Sequence, residues 1–421
     1  APSMQLGSRA SKKYSDPNSW HNQFYSLVTT KIDEEIFKPL FPEGKKSGRP
    51  NASIRILVAM SVLKEGFGCS DEDLFEKCEF DLLTRKALGM ELLTDVTPSI
   101  DTYYLFRRRI CEYQERTGFD LMQLCFEQLA GKHVHLLKIS GKCVRMDSKL
   151  IGSNIARQSR YELIHTTLVK FLKTCTLTHL SPEQEERAKE YLKEDSSKTV
   201  YRSDSDTLQS NLARIGNFIM EMLAAFPATS PAHDLLQRLF DEQYVVMDGK
   251  AVLRDKKEVK ADSLQNPNDP DATYRAKNDQ KVQGYVTNIT ETVEEGKPNI
   301  ITSVQVETAV FADCHFLQEA VKNSERVTDS TIEELYADGA YQSPDNREFA
   351  KNHNAMQLKT GKMQGGCRWE LIPHGEDGLT VREIATGNTY EAVKAVTKQG
   401  SRKRWRIPWN NKTGWRYFED K

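Results

Sequence analysis

The sequence predicts an α/β chain built as a mixed sheet with a helical N-terminal domain, a long helical insertion and a β-rich C-terminal insertion. Three observations predict it. Apolar residues recur at helical spacing from about residue 54 to about 131. From residue 132 the pattern turns to alternation in "GKCVRMDSKLIG", and alternation returns in "KVQGYVTNITETV" and "NIITSVQVETA". Between these strand signals lies a stretch rich in Glu, Lys and Leu, about residues 155–245, with helical periodicity. The expected domains are therefore 1–131, 132–365 with its insertion at 155–245, and 366–421.

Each element has a local reason. In "IRILVAMSVLKEGFGCSDEDLFEKCEF", Ile54, Leu57, Val58 and Val62 fall on one helical face. Ser70 is placed to cap a second helix, with Asp71, Glu72 and Asp73 in its first turn, where the helix dipole favours anions. "SIDTYYLFRRRICEYQER" and "GFDLMQLCFEQLAGK" add two more helices. His133 and His135 alternate as in a strand. Val144 and Met146 alternate with polar residues, and the strand they form is expected to end at Asp147. Gly296-Lys297-Pro298-Asn299 is a turn signal that makes the next two strands a hairpin. "DCHFLQEAVKNS" reads as helix, and "AMQLKTG" as a short strand. The tail from Gly366 is β-like and strongly basic after Lys398.

Composition narrows the function classes. The chain has 421 residues, 38% hydrophobic and 28% charged, with a mean hydropathy of −0.61. It contains nothing near the ~18 consecutive apolar residues that span a bilayer. Its eight cysteines include no C-x-x-C pair, which argues against a zinc site or a disulfide framework and for a reducing compartment. A net charge of −1 leaves any nucleic-acid contact to local clusters.

The stretch "EELYADGAYQS" places a carboxylate, Asp338, where an apolar strand stops at a Gly turn and Ser343-Pro344-Asp345 starts a helix. Strand tips of this kind hold ligands in open α/β sheets, although a strand-capping Asp would sit there too. With the helical insertion set aside, the order is strand, two-stranded hairpin, helix, strand, helix, strand. The first and fourth strands can then be neighbours, with Asp147 and Asp338 facing each other. Two like charges that close call for a cation, and oxygen donors suit Mg²⁺ or Mn²⁺. A pair of such ions supports phosphoryl transfer.

"VRMDSKLIGSNIA" and "LYADGAYQSPDN" resemble the first and second acidic motifs of bacterial insertion-sequence DDE transposases. "GRPNASIRILVAMSVLKEGFGCSDEDLFEKCEFDLLTRKALG" followed by "TYYLFRRRI" is similar to the helical N-terminal domain of that group, and "NPNDPDATYRAK" with "QGYVTNITET" to its middle. The resemblance implies an RNase-H-like catalytic domain, Mg²⁺-dependent DNA cleavage and strand transfer, and Asp147 and Asp338 as catalytic metal ligands. It also implies element ends and target DNA as partners, a homodimer that processes two ends, and residence in the bacterial cytoplasm at the nucleoid. The family's third acid is a Glu on a helix after a β-rich insertion. Glu370, Glu376, Glu383, Glu391 and Glu419 follow residue 365, none on a recognisable helix, so the third acid is expected beyond Lys421. Two alternatives remain open: a truncated, non-catalytic DNA-binding derivative that represses the intact enzyme, and a nuclease on the same scaffold.

Further candidates are DNA contacts. Arg107, Arg108 and Arg109 follow an aromatic patch on a helix, and either contact phosphates or form a solvated face. Arg275 and Lys277 would touch DNA beside the metals, while Asp269 and Asp271 read as turn residues. In "KQGSRKRWRIPWNNKTGWR", Arg402, Lys403 and Arg404 offer charge, and Trp405, Trp409 and Trp415 offer faces for an unpaired base. Protection of an exposed strand edge explains the same charges.

Overall fold

A computed structural model describes residues 7–41, 52–92, 94–226, 230–277, 280–354, 356–364, 367–374, 378–395, 404–409 and 414–419. Four separate apolar clusters organise them, one in the N-terminal helices, one in the helical insertion, one beneath the sheet and one in the C-terminal strands.

After α1 (Ser8–Ser15), which buries none of its residues, the first cluster draws on α2 (Trp20–Leu27), α3 (Ile54–Phe67), α4 (Asp71–Phe80), α5 (Leu82–Ala87), α6 (Ile100–Thr117) and α7 (Leu121–Leu137). Leu57 and Val58 of α3 are buried as the spacing predicts, while Val62 lies at the margin and is exposed. Ser70 and Asp73 form a reciprocal capping box at the start of α4, which satisfies two amides that the helix leaves unpaired. The strand expected around His133 and His135 is instead the last turn of α7. Gly131, within α7, is a contact point: a Cβ there would lie 3.0 Å from the carbonyl oxygen of Val327. Its missing side chain lets α7 approach the helix that carries Val327, and an Arg326–Glu127 ion pair of 2.7 Å joins the same two elements.

β1 (Cys143–Gly152) opens the sheet. The insertion follows as α8 (Arg160–Leu172), α9 (Pro182–Lys193), α10 (Ser196–Arg202), α11 (Ser205–Ala225) and α12 (Pro231–Gln243). It closes with a hairpin of β2 (Tyr244–Met247) and β3 (Lys250–Leu253). Ser159 with Glu162, and Ser181 with Gln184, build capping boxes at α8 and α9. His165 is buried in this core, with Nε2 3.1 Å from the carbonyl of Tyr191 and 3.6 Å from Glu194 Oε2. Burial pulls its basicity down, although the charge of Glu194 opposes the shift. The unfolded chain then binds more protons than the folded one below the ordinary histidine range, so stability falls as pH drops through about 6.5. Urea unfolding of the insertion at pH 7.5 and 5.5 is expected to show this loss, and His165→Phe should reduce it.

The remaining elements are β4 (Thr273–Lys277), β5 (Gln280–Thr292), β6 (Ile301–Thr308), α13 (Leu317–Thr328), β7 (Glu334–Ala337), α14 (Pro344–Asn352) and β8 (Gln357–Gln364). β5 pairs antiparallel with β1 from Val144↔Thr292 to Gly152↔Gly284, and β6 pairs antiparallel with β5. β7 lies parallel to β1 and to β8. The core order is thus β6-β5-β1-β7-β8, with β4 on β5 as well. First and fourth strands of the expected order are neighbours. One expectation needs correction: β1 does not end at Asp147 but continues to Gly152, because β5 supplies hydrogen-bond partners along the whole length. Only its pairing with β7 stops early, at Arg145↔Tyr336. Val144, Met146, Leu335 and Ala337 point into the cluster formed with Leu317, Ala320, Val321 and Tyr341.

β8 leaves β7 after Thr360, and its second half pairs antiparallel with β9 (Cys367–His374). A meander continues through β10 (Gly378–Glu383), β11 (Thr389–Ala395), β12 (Arg404–Trp409) and β13 (Gly414–Glu419).

Candidate functional site

The parallel register Cys143↔Glu334, Val144↔Leu335 and Arg145↔Tyr336, carried two residues further, sets Asp147 level with Asp338. The pairing itself stops at Arg145↔Tyr336, so the level of the two carboxylates is an extension of that register and not a paired position. Side chains alternate across a sheet, and Asp147 shares the outward face of β1 with Arg145, Lys149 and Ile151. That face is open: Asp147, Ile151, Ile289 and Val306 are exposed on it.

Both carboxylates are held locally. Asp147 Oδ1 accepts from the backbone N–H of Ser148 at 2.9 Å, and Asp338 Oδ1 accepts from that of Ala340 at 2.7 Å. The second contact caps the short 3₁₀ turn Gly339–Tyr341, so the strand-capping role is real and leaves Asp338 half-buried at the strand tip. Among the described residues neither aspartate has a cationic side chain within ion-pair distance. Two carboxylates side by side without a cationic partner form a donor set that fits a hard divalent ion.

Tyr341 was not singled out in the sequence, although it stands three residues after Asp338. Its ring is fully buried, and its O–H donates to Asn288 Oδ1 at 2.6 Å. Burial holds the phenol well above its usual range, and the charges of Asp313, Asp147 and Asp338 push the same way against a hydrogen bond with Ser148. Asn288 Nδ2 in turn donates to Gln305 Oε1 at 2.9 Å.

No group of three His, Cys, Asp or Glu side chains converges among the described residues. Glu370 pairs with Arg382. Glu383 is buried and accepts from Thr386 Oγ1 at 2.7 Å. Glu391 accepts from Thr380 Oγ1 at 2.7 Å and lies 3.3 Å from His374 Nε2. Glu376 and the side chain of Glu419 lie outside the described residues.

The basic candidates scatter. Arg107, Arg108 and Arg109 are on α6, where Arg107 is 3.5 Å from Asp71, Arg108 is 3.6 Å from Glu112, and Arg109 sits over the Phe41 ring. Arg275 turns inward: its Nη1 donates to the carbonyls of Ala309 and Phe311 at 3.2 and 3.0 Å and meets the buried Asp313 at 3.3 Å. That guanidinium nitrogen holds the β4 edge to the segment before α13. Asp269 is likewise structural, accepting from Ser153 Oγ at 2.5 Å and from the Tyr285 hydroxyl. Lys277 ends β4, and Arg404 opens β12 opposite Ala395 and Glu419; their side chains, with Arg402 and Lys403 entire, lie outside the described residues. The expectation for Trp405 is corrected. It is 4% exposed, packed with Trp369, Val381 and Ile407, and the Lys394 ammonium lies 5.4 Å from its ring centre. A base has no open face to stack on there.

Comparison with known proteins adds one finding. Neither a search of curated proteins nor a search of solved structures finds a match. Residues 13–109, from the end of α1 into α6, match the transposase domain (DUF772) family, which supports a transposase role.

Proposed function

We propose that this chain is a DDE-type transposase that cuts DNA at the ends of an insertion element and joins the freed ends to target DNA. The observation that carries the reading is the parallel pairing of β1 with β7, whose register, extended two residues past Arg145↔Tyr336, would bring Asp147 level with Asp338. The strand order β6-β5-β1-β7-β8, with helices after β6 and β7, supports an RNase-H-like catalytic domain. Mg²⁺ or Mn²⁺ bound between the two carboxylates would supply Lewis-acid activation of the phosphodiester and its attacking water or hydroxyl. Asp338 is oriented for this by the Ala340 amide, and Asp147 by the Ser148 amide. The open outward face leaves room for a DNA backbone above them. Two copies would hold two element ends together, working on DNA at the nucleoid of a bacterial cytoplasm.

A second reading, DNA binding without cleavage, is favoured by the local engagement of Glu370, Glu383 and Glu391 within the meander. Both readings require DNA affinity that falls steeply with salt, because Lys and Arg contacts release counterions from phosphate. Changing Arg402, Lys403 and Arg404 together to Ala should flatten the slope of log affinity against log salt by about 2–3. An unchanged slope returns the tail to protection of a strand edge. Mg²⁺-dependent nicking of end-containing DNA separates the readings. The proposed function expects nicking that Asp147→Asn abolishes, and binding without nicking would favour the second reading.

A further inference from the structure

The geometry points to Tyr341 as a positioning residue for the Asp147–Asp338 pair, acting through its hydrogen bond to Asn288. The inference rests on the divalent-ion site proposed above and deepens it.

The problem it answers is mechanical. β7 has four residues, and its register with β1 ends two residues before Asp338. Asp338 therefore stands on a short, one-sidedly held tip, next to a carboxylate of the same charge. Repulsion between them would spread the tip away from β1. The turn Gly339–Tyr341 must be anchored elsewhere if Asp338 is to stay level with Asp147.

Tyr341 provides that anchor from three directions. Its ring is buried in the cluster beneath the sheet with Val144, Met146 and Leu335. Its carbonyl accepts from Asn346 Nδ2 at 2.8 Å, which ties the turn to α14. Its O–H reaches Asn288 at 2.6 Å, and Asn288 is the β5 residue paired with Ser148, the neighbour of Asp147. The bond thus passes from the β7 tip under β1 to β5, at the level of the two aspartates. Asn288 is fixed in turn by Gln305, its register partner on β6. Tyr341, Ser148, Asn288 and Gln305 form a polar row on the buried face, directly behind the acidic pair on the open face. The phenol is a neutral donor there, so it orients without adding charge.

Tyr341→Phe keeps the ring in the core and removes only the O–H. A residue that merely stabilised the fold would lower the unfolding temperature and leave ion affinity unchanged. A positioning residue weakens the ion. Titrating the 421-residue chain with Mn²⁺ should give about 10–100-fold weaker binding in Tyr341→Phe, the usual effect of losing a partner behind the ligands. Asn288→Leu, of similar size, should weaken it by a comparable factor. The double variant should be no weaker than the worse single one, since the two groups act as one unit. Tyr336→Phe, which removes a hydroxyl bonded to Glu334 on the same strand, should bind as the parent does. Mn²⁺ binding lost in Asp147→Asn but unchanged in Tyr341→Phe and Asn288→Leu would overturn this inference and leave the ion site standing. Additive losses in the double variant would overturn the coupling through Asn288. Undiminished Mn²⁺ binding in Asp147→Asn would overturn the ion site and this inference with it.

Discussion

Asp147→Asn is expected to abolish divalent-ion binding by this chain, and Asp338→Asn to do the same. The two carboxylates follow the end of the same parallel pairing, and each already gives one oxygen to a backbone amide. What remains for an ion is a shared set of donors in which neither residue suffices alone. The sign of the stability effect makes the prediction sharp. Without an ion the parent holds two neighbouring negative charges, so neutralising either should leave the apo fold equally or slightly more stable. With Mn²⁺ at 100 times its dissociation constant, binding stabilises the parent by about 2.7 kcal/mol, and neither variant shares that gain. Calorimetric titration with Mn²⁺ and thermal unfolding with and without it read both halves. A destabilised apo Asp147→Asn, or an ion-dependent gain that survives in it, would show that Asp147 is a structural residue and not a ligand.

Most of the layout was legible, for reasons that can be named. Ser70, Ser343 and the Gly296–Asn299 turn carry local signals that tertiary packing had no cause to overrule. Alternation over Val144 and Met146 located β1, yet its end was misplaced at Asp147 because the strand's last half faces solvent and is held by backbone pairing with β5. "YVVMDGKAVL" carries an Asp-Gly hairpin signal for β2–β3, which a helical insertion ending at about residue 245 leaves without an assignment. His133 and His135 alternate as a strand would, yet they lie on α7, whose close approach to Val327 at Gly131 no local pattern shows. At the site, the two acidic positions could be read but their shared level could not, since register is a property of pairing. Tyr341 was on the quoted stretch, and its importance depends on Asn288, 53 residues earlier in the chain. The inward engagement of Arg275 was illegible for the same kind of reason: its partners, Ala309, Phe311 and Asp313, are distant in sequence.

Trp405→Ala is expected to unfold the C-terminal meander rather than to remove a base-stacking contact. The cluster it belongs to is small: Trp369, Leu379, Val381, Trp405 and Ile407 are its buried residues, with Leu371, Tyr390 and Ala392 packed at the margin. Deleting a buried Trp side chain typically costs about 3–5 kcal/mol, and so small a core has little else to collapse into the space. The sheet beneath α13 and the helical insertion have their own clusters and should survive, so the loss is local. Hydrogen exchange should show protection disappearing from β9 to β12 while β1, β5 and α8 keep theirs. DNA affinity should fall with it, through loss of the platform that carries the basic segment. The alternative predicts another combination: if Trp405 stacks on a base, Trp405→Ala weakens DNA binding while exchange protection in the meander stays as it was. The Lys394 ammonium beside the indole ring and the burial of that ring decide for unfolding.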